Sequence, residues 1–250
     1  MTRGGIGAPV AGETDKSVAY VIGVDGCAGG WIAALRRDGR GEIDYQRVAR
    51  LEELFAKAST PRVVAVDMPI GLLEHGARQC DVEARRLLGV RRSSVFTPPL
   101  RPMLASASRG AASRVRHRLE GKRVPIQAWA IVPKIREVDR LLRGHPARRE
   151  IVREAHPELC FFFLNGGRPM REPKKTAGGQ AERVALLRKW CGVAAARALD
   201  ERRKLGCQAD DIVDALVLLW TAERVERGEA VTIPASPPRD AHGLSMEVVA

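Results

Sequence analysis

The chain has 250 residues, 45% of them hydrophobic and 29% charged, with a formal net charge of +12. That length suits one α/β domain with an insertion, and the composition excludes wholesale disorder, a collagen-like repeat and a coiled-coil rod. The longest apolar run, residues 215–222, is less than half of the roughly 20 residues a membrane span needs, and residues 1–17 lack the apolar stretch of a secretory signal, so a cytoplasmic chain with no membrane partner is expected.

Residues 1–17 read as a flexible leader. Residues 18–24 (VAYVIGV) are β-prone and apolar on both faces, the pattern of a central strand, and they lead into Asp25. A turn at Gly26, Gly29 and Gly30 returns the chain into a second strand over 31–35 and a third over 43–48, an antiparallel meander. Residues 51–58 have helical spacing, and residues 62–66 (RVVAV) make a fourth strand, placed parallel beside the first by a right-handed crossover and ending in Asp67. Helices are expected over 81–88, within 103–119, and over 127–142 with a bend at Pro133, together an insertion at about 78–150. A short strand near 151–155 leads into His156, Pro157 and Glu158, and helices over 181–191, 193–204 and 210–227 follow. The domain spans 18–233, and Pro237 and Pro238 mark 234–250 as a loose tail.

The charge is unevenly placed. From residue 78 to residue 153 there are 19 Lys/Arg against 6 Asp/Glu, whereas the rest of the chain carries 23 against 24. Such a basic segment commonly faces a polyanion, nucleic acid first among them; the bland alternative is a solvated Arg-rich helical face. The five cysteines (Cys27, Cys80, Cys160, Cys191, Cys207) are odd in number and offer no zinc spacing, so reduced thiols are expected.

Two acids, Asp25 and Asp67, occupy the exits of two neighbouring strands, where ligand sites of open α/β sheets lie. Like charges brought together there need a proton or a cation between them, and a hard divalent ion with oxygen ligands meets that need. On the last helix Asp211 and Asp214 share a face through their i, i+3 spacing, Asp210 is placed to cap, and the face continues into Ala215, Leu218, Thr221 and Ala222. A helix apolar all round is buried, so these acids are expected to point into a protein-lined site. Each alone could equally be a turn cap or a favourable charge at a helix N-terminus. Glu158 is a candidate fourth carboxylate, and His156 is either a structural histidine or a proton donor beside the site.

These elements form the pattern of the ribonuclease H-like fold: a mixed five-stranded sheet flanked by helices, with a basic helical insertion. The motif Asp211, Asp214, Ala215, Leu216 resembles the final catalytic helix of Holliday-junction resolvases. A wider resemblance is to domain-of-unknown-function family 429, described as predicted ribonuclease H-like nucleases. It is carried by GVDGCAGGW at 23–31, VDMPIGL at 66–72, CDVEARRLLG at 80–89, RRSSVF at 91–96, QAWAIVPKIREVD at 127–139, HPELCF at 156–161 and DDIVDAL at 210–216. Ala28 stands where members often have Pro.

The resemblance implies a metal-dependent nuclease in which Asp25, Asp67, Asp211 and Asp214 hold one or two Mg²⁺ or Mn²⁺, with Glu158 beside them. Arg91, Arg92, Ser93 and Ser94, then Lys134 and Arg136, then Lys174 and Lys175, are the candidate phosphate contacts. The expected partner is nucleic acid, DNA or RNA, with a homodimer left open. A sugar- or acid-kinase-like phosphotransferase is the alternative enzyme; it would need a second Asp-Gly phosphate hairpin and a late Gly-Gly nucleotide clamp joining strand and helix, and Gly166-Gly167 and Gly178-Gly179, beside Pro- and Lys-rich loops, match that poorly. A non-catalytic nucleic-acid binder would need the basic segment without the acids.

Overall fold

The computed structural model describes residues 19–37, 41–56 and 60–250; the expected leader lies outside the described residues. Strands β1 (Tyr20–Cys27), β2 (Gly30–Arg37) and β3 (Ile43–Val48) form the antiparallel meander. Gly29, at φ 70°, makes the tight reversal between the first two, a conformation that costs glycine little. Where helical spacing is expected at 51–58 there is a single 3₁₀ turn over Leu51–Phe55, and residues 57–59 lie outside the described residues. Strand β4 (Val63–Val66) then pairs parallel with β1.

The insertion follows, with α1 (Gln79–Leu88), a 3₁₀ segment over Gly89–Ser94, α2 (Arg109–Glu120), α3 (Ile126–Ala130) and α4 (Val132–Gly144). The expected bend at Pro133 is a break: α3 ends before Pro133, which sits in the first turn of α4, where its missing N–H costs nothing. Strand β5 (Val152–Glu154) completes a five-stranded mixed sheet of order β3-β2-β1-β4-β5. Helices α5 (Pro157–Leu164), α6 (Ala177–Cys191), α7 (Ala194–Leu205) and α8 (Ala209–Glu226) complete the α/β domain.

The two-residue period of the strands sorts the core onto two faces. Ile22 and Val24 of β1 and Val64 and Val66 of β4 pack with α4 residues Ile135, Val138 and Leu142. Val21 and Cys27, with Val63 and Ala65, pack with α8, which is buried from Ile212 to Glu223. Gly23 lies on the α8 face, where a Cβ would stand 2.0 Å from the Leu219 amide nitrogen and 2.3 Å from the Ala215 carbonyl oxygen. Helix α8 therefore crosses β1 backbone to backbone at Gly23, a contact that any side chain would block.

The end of the chain corrects the loose-tail expectation. Strands β6 (Thr232–Ile233) and β7 (Val248–Val249) pair antiparallel, and Leu244, Met246, Val248, Val249 and Ala250 are buried. The Asp240 carboxylate accepts from the Leu72 amide at 3.1 Å and pairs with Arg101, tying this segment to the loop after β4. Among the described residues no helix is long and apolar enough to cross a membrane.

Candidate functional site

Parity carries two acids to one place. Asp25 follows Val21 and Gly23 on the α8 face of β1, and Asp67 follows Val63 and Ala65 on the same face of β4. The Asp67 amide donates to the Val24 carbonyl at 3.0 Å, so the two acids leave the sheet side by side. The Gly23 crossing sets the third acid, because Asp214 immediately precedes Ala215 on α8. Asp25 is 7% exposed and Asp214 1%.

The electrostatics follow from that crowding. Burial raises the Asp25 carboxyl well above the usual carboxylate range, and the charges of Asp67 and Asp214 add to the rise. Burial raises Asp67 too, against the pull of His156 and Lys174. Asp214 is pushed up to about 6 by burial, although the Lys174 ammonium beside it favours the charged form. Lys174 Nζ donates to Asp214 Oδ2 at 2.7 Å. Burial alone would lower that ammonium, and the carboxylates of Asp214, Asp25 and Asp67 more than reverse the effect.

Lys174 is held there by its own turn. Thr176 caps α6 by accepting from the Gly179 amide at 3.0 Å, and a Cβ on Gly179 would stand 1.9 Å from the Pro173 carbonyl oxygen. The helix start thus clamps the turn that carries Lys174.

The remaining candidates divide. Asp211 lines the same cleft, but its Oδ2 accepts from the Gln208 amide at 3.0 Å, so Asp211 closes the helix and the expected cap, Asp210, does not. Glu158 also lines the cleft, and the first turn of α5 points it at Arg183 of α6, whose Nη2 donates to its Oε2 at 2.5 Å, so one of its oxygens is held in an ion pair. His156 lines the cleft, its Nε2 lies 3.1 Å from the Ser94 carbonyl, and its buried Nδ1 has no partner among the described residues.

The basic candidates are largely engaged within the protein. Arg91 donates to the backbone carbonyls of Met170 and Arg171, and Arg136 to those of Leu104 and Ser106, so both fasten loops. Ser94 donates to the Arg91 carbonyl at 2.7 Å. Lys134 donates to the Gly30 carbonyl and lies 4.3 Å from the centre of the Trp31 ring, and burial lowers its pKa. Arg91, Ser93, Ser94, Lys134, Lys174 and Lys175 line the cleft, while Arg92 is exposed outside it.

One network has no counterpart in the sequence reading. Arg78, buried at the start of α1, donates to both Asp81 and Glu154 and to the carbonyls of Ile70 and Gly71, while Glu154 also accepts from the Ile70 amide at 2.6 Å. The paired charges fix the loop that follows Asp67. The only signal in the sequence is an acid ending β5 on the face opposite Asp67.

The cleft enclosing these groups has a volume of about 580 Å³, with Phe96, Pro98, Ala130 and Ile131 on the side of the insertion. As a cation site it is partly formed. Asp25 and Asp67 supply adjoining oxygen donors of the kind a hard divalent ion takes, and burial that disfavours their bare charges is a cost such an ion relieves. Lys174 fills the corresponding place beside Asp214, and among the described residues no three Asp, Glu, His or Cys side chains form a ready-made cage.

A mixed α/β domain with buried acids gathered at its strand ends is the class that fold and site define. The family model described as "Protein of unknown function (DUF429)" matches residues 23–239, and the chain belongs to that family. No curated protein and no solved structure matches it.

Proposed function

We propose that this protein is a metal-dependent phosphodiester hydrolase of ribonuclease H-like architecture acting on nucleic acid or its fragments. The observation that carries the reading is the adjacent pair Asp25, buried, and Asp67, half-buried, with Asp214 brought near it by α8. Pure repulsion among the three would be a standing cost to the fold, and such costs gather where they serve chemistry. The strand order β3-β2-β1-β4-β5, with its meander first and parallel strands after, agrees with that architecture. The five free thiols suit a reducing cytoplasm.

In this reading Asp25, Asp67 and Asp214 would hold Mg²⁺ or Mn²⁺, with Asp211 at the edge. Such an ion, when bound, lowers the pKa of a water and neutralises charge on a scissile phosphate. The chain's own groups do the rest. Lys174 leaves Asp214 and turns its ammonium to a phosphate oxygen, which keeps the charge of the site nearly balanced throughout. His156, with Nδ1 unengaged, is placed to give a proton to the departing oxygen. Lys134 and Lys175 add positive field at the cleft.

Calorimetric titration with Mn²⁺, run beside a cleavage screen over DNA and RNA, tests this. Wild-type protein should bind Mn²⁺ and cleave, Asp25→Asn and Asp67→Asn should lose both, and Lys174→Gln should bind Mn²⁺ more tightly because a competing cation is gone. Equal Mn²⁺ affinity in wild type and Asp25→Asn would overturn the reading.

A further inference from the structure

The cleft volume of about 580 Å³ falls within the range of small-molecule pockets, roughly 300–1,000 Å³, and the acids in its lining are recessed, Asp25 only 7% exposed and Asp67 half-buried. A duplex presents its phosphates along a stiff convex backbone and brings one of them onto so recessed a carboxylate as Asp25 only with local melting.

The arginines nearest the site give a polymer little to follow. Phosphate tracks need cations whose donors are free, yet Arg78 and Arg101 are buried in ion pairs, and Arg91 and Arg136 are spent on backbone carbonyls. Of the lysines lining the cleft, Lys174 is paired with Asp214 and Lys134 bonded to the Gly30 carbonyl, which leaves Lys175 at the rim.

The cleft lining is chemically mixed. Asp25, Asp67 and the lysines give it charge. Val95, Phe96, Pro98, Ala130 and Ile131 give it apolar wall, with Phe96 57% exposed. An aromatic ring left open to solvent in a cleft wall offers a stacking surface for a flat base.

Resting on the proposed hydrolase reading, we infer that the substrate is a nucleotide-sized phosphate ester, its base against Phe96 and its phosphate over Asp25 and Asp67, and not a duplex. In the reaction a water oxygen bonds to phosphorus, the bond from phosphorus to the ester oxygen breaks, and that oxygen takes a proton to leave as an alcohol. No redox partner is needed.

The test compares, with Mn²⁺ present, thymidine para-nitrophenyl phosphate, bis(para-nitrophenyl) phosphate, a single-stranded oligonucleotide and duplex DNA. The thymidine ester should be hydrolysed with the highest kcat/KM and the duplex left intact. Phe96→Ala, an exposed change that spares the fold, should raise KM for the thymidine ester about tenfold, the effect of losing one base stack, while Mn²⁺ affinity, which rests on the carboxylates, stays as in the wild type. Thymidine monophosphate should raise the melting temperature of the wild type more than that of Phe96→Ala. Preferred cleavage of the oligonucleotide or duplex would overturn the inference while leaving the hydrolase reading standing, as would an unchanged KM in Phe96→Ala. Absence of Mn²⁺ binding and of hydrolysis of every substrate would overturn both.

Discussion

The acidic cluster and the basic insertion began as comparable signals, and the fold treats them in opposite ways. The acids are few and scattered over 190 positions, from Asp25 to Asp214, yet strand parity and one helix crossing bring them together. The basic residues are many and contiguous in sequence, yet several of their guanidinium groups turn inward to carboxylates and carbonyls. An acid at a strand exit has its direction set by the backbone. An arginine has a long stem and five donors, and it settles wherever buried acceptors lack partners.

The largest effect is expected from breaking the basic side where it is most internal. Arg78→Met leaves Asp81 and Glu154 buried without their counter-charge, and unfolding by urea should show a loss of about 3–5 kcal/mol. If Arg78 were part of a solvated face, the change would be close to nothing. Next comes the crossing that assembles the acids. Gly23→Ala places a methyl against the α8 backbone and should cost about 3 kcal/mol, because neither backbone can move aside. Gly144, with open space around it, is the control: Gly144→Ala should be neutral or stabilising by up to about 1 kcal/mol.

The same contrast explains what the sequence made legible. The two-residue period alone puts Asp25 with Val21 and Gly23, and Asp67 with Val63 and Ala65, so the shared face could be read before any coordinates. The period also runs through Leu244, Met246 and Val248, and the tail was misjudged because Pro237 and Pro238 drew the reading towards a loop. Pairings between distant residues left no such trace. Arg78 meets Glu154 across 76 positions, and nothing local to either foretells it. Glu158 shows the same limit: its place after β5 is legible, but its ion pair with Arg183, 25 positions on, is not.

Titration sharpens the acidic side. Asp25, Asp67 and Asp214 are raised in the folded protein, so the unfolded chain holds fewer of these protons. Their contribution to stability is therefore full at pH below the ordinary carboxylate range and is lost as pH rises through the folded values, about 6 for Asp214. Metal-free protein should melt at a lower temperature at pH 8 than at pH 5.5, values chosen to lie on roughly either side of that transition. Asp25→Asn should flatten the fall, since one charge of the crowded group is gone. A steeper fall in the variant would mean that Asp25 is held by a stabilising partner instead of by its neighbours' repulsion.

The smallest effect should come from the exposed basic surface. Each phosphate contact to duplex DNA contributes roughly 0.9 to the slope of log affinity against log salt, so an insertion using four cations would give about −3.6. Arg91 is engaged with Met170 and Arg171, and Arg136 with Leu104 and Ser106, which leaves Arg92 as the exposed cation of the Arg-Arg-Ser-Ser segment. Duplex affinity measured over a range of salt should accordingly give a slope much shallower than that, and Arg92→Ala should change it by no more than about 0.9. Arg91→Ala should act differently, lowering the melting temperature by freeing the loop at Met170 while leaving the slope nearly unaltered. A steep slope that loses about two contacts when Arg91 and Arg92 are removed together would return the insertion to the role of a phosphate track, and would mean that arginines bonded to carbonyls in the free protein exchange those bonds for phosphates on binding.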